Sequence, residues 1–360
     1  MIVLGIETSC DETGCGLVDA DYRVLGESLY TQAATHAKFG GVVPEVAARA
    51  HLEKIHPVVS AALDDARAKA GVSLDDVDVI AHTRGPGLLG PLLVGTSFAQ
   101  GLGRALGKPV MGLNHLEGHL ASAYLTDPTF EPPFLALLVS GGHTELVHVG
   151  PRLEFRVLGS TRDDAAGEAF DKSGKLLGLG YPAGAEVSRL AAGGRRDALD
   201  LPRALMEKGN LEFSFSGLKS AVARAAAQCV AAGGEDALRA ARADFCASLE
   251  TAIADVLVKK TARAMRELDE TRLVVAGGVA ANTWLRARMA EAAEREGWRL
   301  VLPEPRFCGD NGTMMAAAAQ KRLQLGLWPR GDAAATAGSA GTGRNGKSAP
   351  FGVKAGLRWE

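Results

Sequence analysis

The sequence predicts an α/β protein built from two related lobes. At 360 residues the chain exceeds what one hydrophobic core usually supports. Strand and helix patterns alternate over the first 113 residues, and this βαβ order is typical of a largely parallel sheet covered on both faces. A strand, a polar turn and a second strand open the chain at 2–18 and return at 134–149, which indicates a duplicated unit and a cleft between two lobes.

The elements of the first part follow from apolar spacing and turn residues. They are, in order, a hairpin over 2–18, an Ala-rich helix over 42–70, a strand over 77–81, a helix over 90–106 and a strand over 109–113.

The same pattern begins again near residue 134. The predicted elements are strands over 134–139 and 145–149 around a Gly-rich turn, helices over 163–178, 214–232 and 236–268, a strand over 273–276 and a helix over 282–296. The segment after Pro329 is rich in Gly, Ala and Ser, and we expect it to be flexible.

Composition limits the class of function. Hydrophobic residues make up 47% and charged residues 23%, which excludes wholesale disorder. Forty Lys and Arg against 42 Asp and Glu leave a net charge of −2, so a nucleic-acid partner would have to meet a local patch or a helper protein. No apolar run is long enough to cross a bilayer, no signal peptide is seen, and the five cysteines form no CxxC pair. We therefore expect a cytoplasmic enzyme.

Two histidines, His115 and His119, are one helical turn apart and could hold one metal ion. A zinc peptidase needs Glu directly after the first His, whereas Glu117 comes one place later, turned roughly 200° from His115. This spacing argues against a metal-dependent peptidase. Two polar histidines on a helix surface explain the pair equally well.

A third ligand is offered by Asp310, on a Gly-flanked loop before a helix. Two nitrogens and one oxygen with open positions suit Fe²⁺ or Zn²⁺. Asp310 could also cap the helix that begins near Thr313, and the two roles are compatible.

Two Gly-rich segments follow predicted strands. In 140–144 the backbone amides could cradle a phosphate or acyl oxygen, although a purely structural hairpin is the simpler interpretation. Residues 277–282 end a strand and open a helix, where nucleotides sit in open α/β sheets, but they lack the GxGxxG spacing of dinucleotide folds.

Several charged groups allow two interpretations. Asp164, Glu168 and Asp171 lie at helical spacing and could bind ribose hydroxyls, but a solvated acidic helix face is slightly favoured. The same two interpretations apply to Asp11 and Glu12 at the first hairpin tip. The most plausible basic patch comprises Arg195, Arg196, Arg203, Lys208 and Lys219.

Taken together, these segments closely resemble the bacterial TsaD family of tRNA threonylcarbamoyladenosine transferases. The matching segments are GIETSCDET at 5–13, GVVPE at 41–45, NHLEGH at 114–119, LVSGGHT at 138–144, DDAAGEAFD at 163–171, FSFSGLK at 213–219, GGVAAN at 277–282 and CGDNG at 308–312. They occur in order across roughly residues 1–330, and the last thirty residues match no part of the pattern.

The resemblance implies the two-lobed fold of actin, sugar kinases and Hsp70 ATPases (ASKHA), with mixed sheets flanked by helices. It places the first lobe at 1–113 plus 306–330, the second lobe with the metal and nucleotide site at 114–305, and a flexible tail at 331–360.

The resemblance also implies a reaction and its residues. The threonylcarbamoyl group of threonylcarbamoyl-AMP passes to N6 of the adenosine next to the anticodon, in tRNAs reading codons that begin with adenine, and AMP is released. By this resemblance His115, His119 and Asp310 would hold the metal. The adenylate would be bound by Leu138, Val139, Ser140, Gly141, Gly142, Asp171, Gly184 and Asn282. Our own hypothesis, separate from the resemblance, is that Asp11 or Glu12 at the first hairpin tip accepts the amine proton.

The implied cofactor is one divalent metal ion, with Fe²⁺ favoured over Zn²⁺, and no organic cofactor. The implied partners are tRNA, a catalytically silent TsaB-like paralogue and a small TsaE-like ATPase, without a membrane. Three alternatives remain open: a metal-dependent peptidase, an ASKHA-type ATPase or kinase, and a non-catalytic assembly subunit. Two imidazole ligands argue against a pure Mg²⁺ kinase site, since Mg²⁺ prefers oxygen.

Overall fold

The computed structural model describes residues 1–328 and 352–359. The described residues within Met1–Phe130 and Gly309–Glu360 form one compact unit, and Glu131–Cys308 form a second. Among the described residues, no helix is both long and apolar enough to span a membrane.

The elements up to residue 126 all belong to the first unit. They are β1 (Ile2–Glu7), β2 (Glu12–Asp19), β3 (Val24–Thr31), α1 (Ala33–Ala37), α2 (Pro44–Ala70), β4 (Val79–Gly85), α3 (Leu89–Leu106), β5 (Val110–Asn114) and α4 (His115–Thr126).

The remaining elements belong to the second unit, except the last helix, α9, which belongs to the first. They are β6 (Phe134–Val139), β7 (Thr144–Val149), β8 (Phe155–Ser160), α5 (Ala166–Leu176), α6 (Gly184–Ala191), α7 (Ser216–Leu268), β9 (Arg272–Ala276), α8 (Thr283–Glu296), β10 (Arg299–Val301) and α9 (Gly312–Gln324).

The two sheets have the same topology. The first runs β3-β2-β1-β4-β5 and the second runs β8-β7-β6-β9-β10. In each, the first strand in sequence is central, pairs antiparallel with the next strand and parallel with the fourth. The predicted duplication is confirmed, and both sheets are mixed because each contains a three-stranded antiparallel meander beside parallel strands.

Each unit has its own apolar core. In the first, Leu4 and Ile6 of β1 pack with Ile55 and Val59 of α2. In the second, buried residues of the central strand pack with α7, whose C-terminal half is largely buried. The backbone of α7 is non-helical at Gly233 and Gly234, so the predicted separation into two helices around residues 232–236 is confirmed.

The unit boundaries lie at different residues from those expected. The sequence places the chain from residue 114 onward in the second lobe, whereas α4 packs mainly against α9 and lies in the first unit. The predicted metal ligands therefore all belong to the first unit. The reason is that α4 comes directly after β5, which lies at one edge of the first sheet.

Most of the tail predicted to be flexible, 331–360, lies outside the described residues. Residues 352–359 are described, and they pack against the first unit. The amide of Lys354 donates to the carbonyl of Arg84 at 3.0 Å, and Leu357 is buried. The carbonyl of Arg358 accepts from the side chain of Asn114 at 3.1 Å.

Candidate functional site

Two buried imidazoles lie side by side at the start of α4. The helix begins at His115 because Asn114 caps it, its Oδ1 accepting from the amide of Leu116 at 2.8 Å. His115 and His119 are one turn apart, so they share a helix face. Their ring centroids are 4.7 Å apart with planes at 78°, and the residues are 7% and 1% exposed. They are therefore not surface histidines.

Asp310 completes the cluster from the loop before α9. Its Oδ1 lies 3.2 Å from Nε2 of His119 and 3.6 Å from Nε2 of His115. One ligand atom from each of the three residues lies within 4.8 Å of the others. The helix is capped by Asn311, whose Oδ1 accepts from the amide of Met314, so the proposed capping role of Asp310 is wrong.

Asp310 is placed there because α9 packs unusually close to the first sheet. A Cβ on Gly5 would lie 2.2 Å from the carbonyl oxygen of Gly312, and one on Gly16 would lie 2.3 Å from the Thr313 side chain. These glycines are paired neighbours on β1 and β2 and present a flat face. Their missing side chains allow the start of α9 to lie directly on the strands.

Glu7, at the end of β1, holds His115 from behind. Its Oε2 lies 3.1 Å from Nδ1 of His115 and accepts from the hydroxyl of Thr83, while its Oε1 accepts from the amide of Ser9 at 2.5 Å. A carboxylate on Nδ1 leaves Nε2 as the metal-binding nitrogen and fixes the ring orientation. Sequence reasoning missed this role, although a fully buried acid ending an apolar strand is itself a signal.

These residues fit a divalent cation. Both ring nitrogens of His119 are buried without a hydrogen bond, since its contact with Asp310 lacks hydrogen-bond geometry. Such buried polar atoms are costly unless something else satisfies them. Two imidazoles and a carboxylate match the donor sets of Fe²⁺ and Zn²⁺ sites.

The electrostatics also favour a cation. Burial lowers the pKa of His115, but the carboxylates of Asp310 and Glu7 outweigh burial and raise it to about 9. Burial raises the pKa of Glu7, but the neighbouring His115 prevails and holds it below its usual value. The carboxylates of Asp310 and Glu7 thus favour positive charge at the cluster of His115, His119 and Asp310.

Glu117, the base that a zinc peptidase would need, is engaged elsewhere. Both of its oxygens accept from Arg322, at 2.6 Å from Nε and 2.8 Å from the terminal nitrogen. The pair is largely buried. The peptidase interpretation therefore lacks its base, as the spacing predicted.

The first hairpin tip carries Asp11 and Glu12 in the same unit. Burial, and then the negative charges of Asp310 and Asp11, raise the pKa of Glu12 to about 9. Glu12 accepts a hydrogen bond from the hydroxyl of Thr31 at 3.1 Å. A cation bound by Asp310 would offset part of that negative charge and favour the ionised form of Glu12.

His51 of α2 fixes this tip. Its Nε2 lies 3.0 Å from the carbonyl of Cys10, and its Nδ1 lies 2.8 Å from the hydroxyl of Thr13. A carbonyl can only accept, so Nε2 carries the proton and Nδ1 accepts from Thr13. Burial lowers the pKa of His51, which agrees with a neutral ring.

In the second unit, the predicted Gly-rich turn joins β6 to β7. The amide of His143 donates to Oγ of Ser140 at 3.1 Å, and the amide of Ser140 donates to the carbonyl of His143 at 2.8 Å. Gly141 and Gly142 are exposed, with open space where a Cβ would lie. Leu138 and Val139 are fully buried strand residues, so their side chains present no surface to a ligand.

The other predicted adenylate residues are also in this unit. Oδ1 of Asp171 accepts from the amides of Ala183 and Gly184, at 2.7 and 3.3 Å, and burial raises the pKa of Asp171 despite these bonds. Asn282 caps α8 through Oδ1, and its Nδ2 donates to Glu250 at 2.7 Å. The Asp171 and Asn282 side chains thus accept hydrogen bonds from backbone amides at the starts of α6 and α8, respectively.

The remaining charged candidates are mostly paired. Lys172 contacts both Asp164 and Glu168, which fits a solvated acidic face rather than a ribose site. In the predicted basic patch, three arginines have acidic partners. The pairs are Arg195 with Asp244, Arg196 with Glu250, and Arg203 with Asp255.

Comparisons with known proteins agree on one family. The family model described as TsaD, tRNA N6-adenosine threonylcarbamoyltransferase, matches residues 23–317. A protein of that name from Polaromonas naphthalenivorans is 52% identical over 331 residues, covering 91% of this chain and 90% of its own length. One from Albidiferax ferrireducens is 49% identical over 358 residues, covering 94% and 100%.

Solved structures agree on the fold. Component A of (R)-2-hydroxyglutaryl-CoA dehydratase from Acidaminococcus fermentans aligns with a TM-score of 0.52 at 16% identity, over 90% of this chain and 99% of that chain. Full-length HypF aligns with a TM-score of 0.56 at 14% identity, over 91% of this chain and 56% of its own. The predicted fold class, ASKHA-type with mixed sheets flanked by helices, is confirmed.

Proposed function

The chain belongs to the TsaD family of tRNA N6-adenosine threonylcarbamoyltransferases, and from that premise we propose its reaction in detail. It takes the threonylcarbamoyl group from threonylcarbamoyl-AMP and places it on N6 of the adenosine next to the anticodon. The tRNAs are those that read codons beginning with adenine, and the second product is AMP. The chain is thus an acyltransferase that modifies tRNA.

The observation that carries this proposal is the convergence of His115, His119 and Asp310. The two imidazoles come from one helix and the carboxylate from a loop 191 residues further along the chain than His119, so sequence neighbourhood alone does not bring them together. A divalent cation held there, Fe²⁺ or Zn²⁺, would supply Lewis-acid stabilisation of the carbamoyl oxygen. Glu7 keeps the nearer imidazole in the metal-binding tautomer.

The chemistry requires positioning more than bond activation. N6 of adenosine is a weak nucleophile, but the carbamoyl-phosphate anhydride already carries a good leaving group. The N6–carbon bond forms, the carbon–oxygen bond to the phosphate breaks, and the electron pair leaves with AMP. The N6 proton passes to Asp11 or Glu12, which lie at the hairpin tip of the unit that holds the metal ligands.

The second unit would orient the donor. The exposed amides of Gly141 and Gly142 can approach a phosphate because no side chain covers them. Asp171 and Asn282 fix the loops that begin α6 and α8, and helix N-termini favour anions. The remaining predicted adenylate residues would contribute through their backbone atoms. They are Leu138, Val139, Ser140 and Gly184.

Partners and location are part of the proposal. A net charge of −2 leaves little bulk attraction for tRNA, which supports a TsaB-like inactive paralogue and a TsaE-like ATPase as helpers. We place the reaction in the cytoplasm, where tRNA is found.

The test is direct detection of the product. Purified protein is incubated with threonylcarbamoyl-AMP labelled in threonine and a tRNA transcript, with and without candidate partners, and the digested RNA is searched for the modified nucleoside. We expect label on the adenosine next to the anticodon and an equal amount of AMP.

The Asp11→Asn variant separates binding from transfer. It should bind the adenylate as the wild type does but lose transfer, because the carboxylate that accepts the proton is gone. Unchanged transfer would remove Asp11 from the mechanism and leave Glu12. Absence of label under every partner combination would refute the proposed reaction.

A further inference from the structure

A basic pocket lies between α7 and α8 of the second unit, apart from the predicted metal and adenylate residues. It encloses about 370 Å³. Its charged lining consists of Lys259, Arg263, Arg266, Arg288, Glu291 and Arg295. We use "basic pocket" for the concavity formed by these six residues.

The floor of the basic pocket is apolar and rigid. Val258 and Ala262 of α7 and Ala292 of α8 line it, and all three are buried, at 6%, 4% and 1% exposure. Because both helices are packed into the core of the unit, the cations above this floor are held on a fixed frame.

Two of the cations have no carboxylate to cancel their charge among the described residues. Arg263 donates to the backbone carbonyls of Met206, Glu207 and Asn210, which orient its guanidinium but carry no net charge. Lys259 is exposed and forms no ion pair within 1–328 and 352–359.

The other three cations, Arg266, Arg288 and Arg295, share carboxylates with one another or with Arg203. Arg266 and Arg295 both approach Glu296, at 3.4 and 3.3 Å. Arg288 contacts Asp255 and Glu291, and Asp255 also serves Arg203. Positive charge is therefore left over across the basic pocket, in a chain whose net charge is −2.

The neighbouring Lys260 shows the effect of this charge. Its ammonium donates to the carbonyls of Leu205 and Asn210. Burial, and next the positive charge of Arg263, lower its pKa to about 8.

The cations extend further than one small anion. Lys259 and Arg266 are seven residues apart on α7, about 10 Å along the helix axis. Arginines bind phosphate oxygens in pairs, and a nucleic-acid strand presents one such group at every nucleotide. A row of phosphates matches this spread better than a single phosphate ion.

We propose that the basic pocket binds the phosphodiester backbone of the tRNA substrate, away from the nucleoside that reacts. The inference rests on the proposed function, which makes tRNA the polyanion that this chain meets. Arg288 and Arg295 lie about 9 and about 20 Å along α8 from Asn282, so the pocket contacts RNA beside the predicted adenylate residues, on the same unit. It contributes affinity and register but no sequence discrimination.

The test neutralises three exposed cations of the pocket at once. The pocket triple is Lys259→Gln, Arg266→Gln and Arg295→Gln. The control triple is Lys69→Gln, Arg67→Gln and Arg104→Gln, which removes the same residue types from exposed positions on α2 and α3 of the first unit. Binding of an unmodified tRNA transcript is measured by fluorescence anisotropy over a series of salt concentrations, and thermal unfolding verifies that both triples are folded.

We expect the pocket triple to bind tRNA at least about tenfold more weakly than the control triple near 0.1 M salt. The slope of log affinity against log salt should fall by roughly two, since each lost phosphate contact removes about 0.7 to 0.9. Equal affinities and slopes for the two triples would overturn the inference, and so would wild-type protein without measurable tRNA affinity.

A second arm separates RNA from small anions. Inorganic phosphate and AMP are titrated against each protein. If the pocket triple loses affinity for these small anions while its tRNA affinity equals that of the control, the pocket is a small-anion site and the inference fails. If the wild type transfers the threonylcarbamoyl group but the triples bind tRNA equally, only the pocket inference fails. If the wild type binds tRNA through the pocket but produces no modified nucleoside, only the proposed reaction fails.

Discussion

At the scale of single residues, the proposed metal site depends on a side chain that is not one of its three proposed ligands. Glu7 is fully buried, accepts hydrogen bonds from Thr83 and Ser9, and faces Nδ1 of His115. Its carboxylate orients the imidazole and increases the electron density at Nε2. Substitution of Glu7 should therefore affect the metal affinity more than it affects the fold.

We predict that Glu7→Gln weakens metal binding by about 10- to 100-fold, because an amide keeps the shape but not the charge. Calorimetric titration of metal-free protein with Zn²⁺ measures it. Glu53→Gln, an exposed acid on α2, is the matched control and should bind as the wild type does. Equal affinities for the Glu7 and Glu53 variants would mean that His115 is oriented by packing alone.

His51 gives a pH dependence with a definite sign. Burial lowers its pKa in the folded protein below the ordinary value of 6.5. Below about pH 6.5 the unfolded chain therefore binds a proton on His51 while the folded protein keeps this ring neutral. The stability due to His51 is present above that pH and is lost as the pH falls.

We expect the free energy of unfolding to fall more steeply between about pH 7 and about pH 5.5 for the wild type than for His51→Gln. Urea unfolding at several pH values measures this slope. His56→Gln, at an exposed position of the same helix, is the control. If removing the His51 ring leaves the slope as in the wild type, the ring takes up its proton in the folded state.

At this scale the sequence singled out three side chains that the structure brings together, because His115, His119 and Asp310 stand in recognisable local patterns; their role as metal ligands stays a prediction. Their partners were not predicted, since Glu7 and Arg322 are distant in sequence from the side chains they contact. The basic surface was predicted at Arg195, Arg196 and Arg203, which are paired with acids. Local charge density does not reveal which cations the fold neutralises.

At the scale of elements, the position of Asp310 depends on the contact between α9 and the first sheet. The glycines of β1 and β2 allow this contact, and Gly5 is the tightest case. A methyl group at Gly5 would meet the backbone of Gly312 at 2.2 Å and of Ala316 at 2.5 Å. Backbone atoms cannot rotate away, so the helix itself would have to move.

We predict that Gly5→Ala lowers the free energy of unfolding by roughly 1–3 kcal/mol and weakens metal binding as well. Gly101→Ala is the opposite control. Gly101 is exposed within α3, with nothing within 4 Å of the added Cβ. This substitution should therefore raise the free energy of unfolding by about 0.5–1 kcal/mol. Chemical unfolding and metal titration report the two effects. Wild-type metal affinity in a destabilised Gly5→Ala protein would show that α9 does not set the ligand geometry.

Three of the strands were not predicted from the sequence. β3, β8 and β10 each lie at the edge of a sheet. One of their faces meets solvent or irregular structure, so their apolar pattern is broken, and β10 has only three residues. Central strands such as β1 and β6 are buried along nearly their whole length, and this is why their continuous apolar runs were recognised.

At the scale of the whole molecule, the same sheet topology occurs in both units, but the candidate functional residues differ between them. Both units place an antiparallel meander and a parallel pair around a central strand. The first unit carries the imidazoles, the carboxylate and the acidic hairpin tip, while the second carries the Gly-rich turn and the basic pocket. The division of the chain into lobes was predicted from the repeated hairpin, but the boundary was not, because α4 packs on α9, which lies nearly two hundred residues further along the chain.

The central claim is that the cation held by His115, His119 and Asp310 is required for transfer. The most direct measurement is the amount of threonylcarbamoyladenosine formed by chelated protein as one metal is added back, for the wild type and for Asp310→Ala. We expect the chelated wild type to be inactive and to recover with about one equivalent of metal, while Asp310→Ala stays inactive at the same metal concentration. Full transfer by metal-free wild type, or recovery of Asp310→Ala alongside it, would contradict the claim.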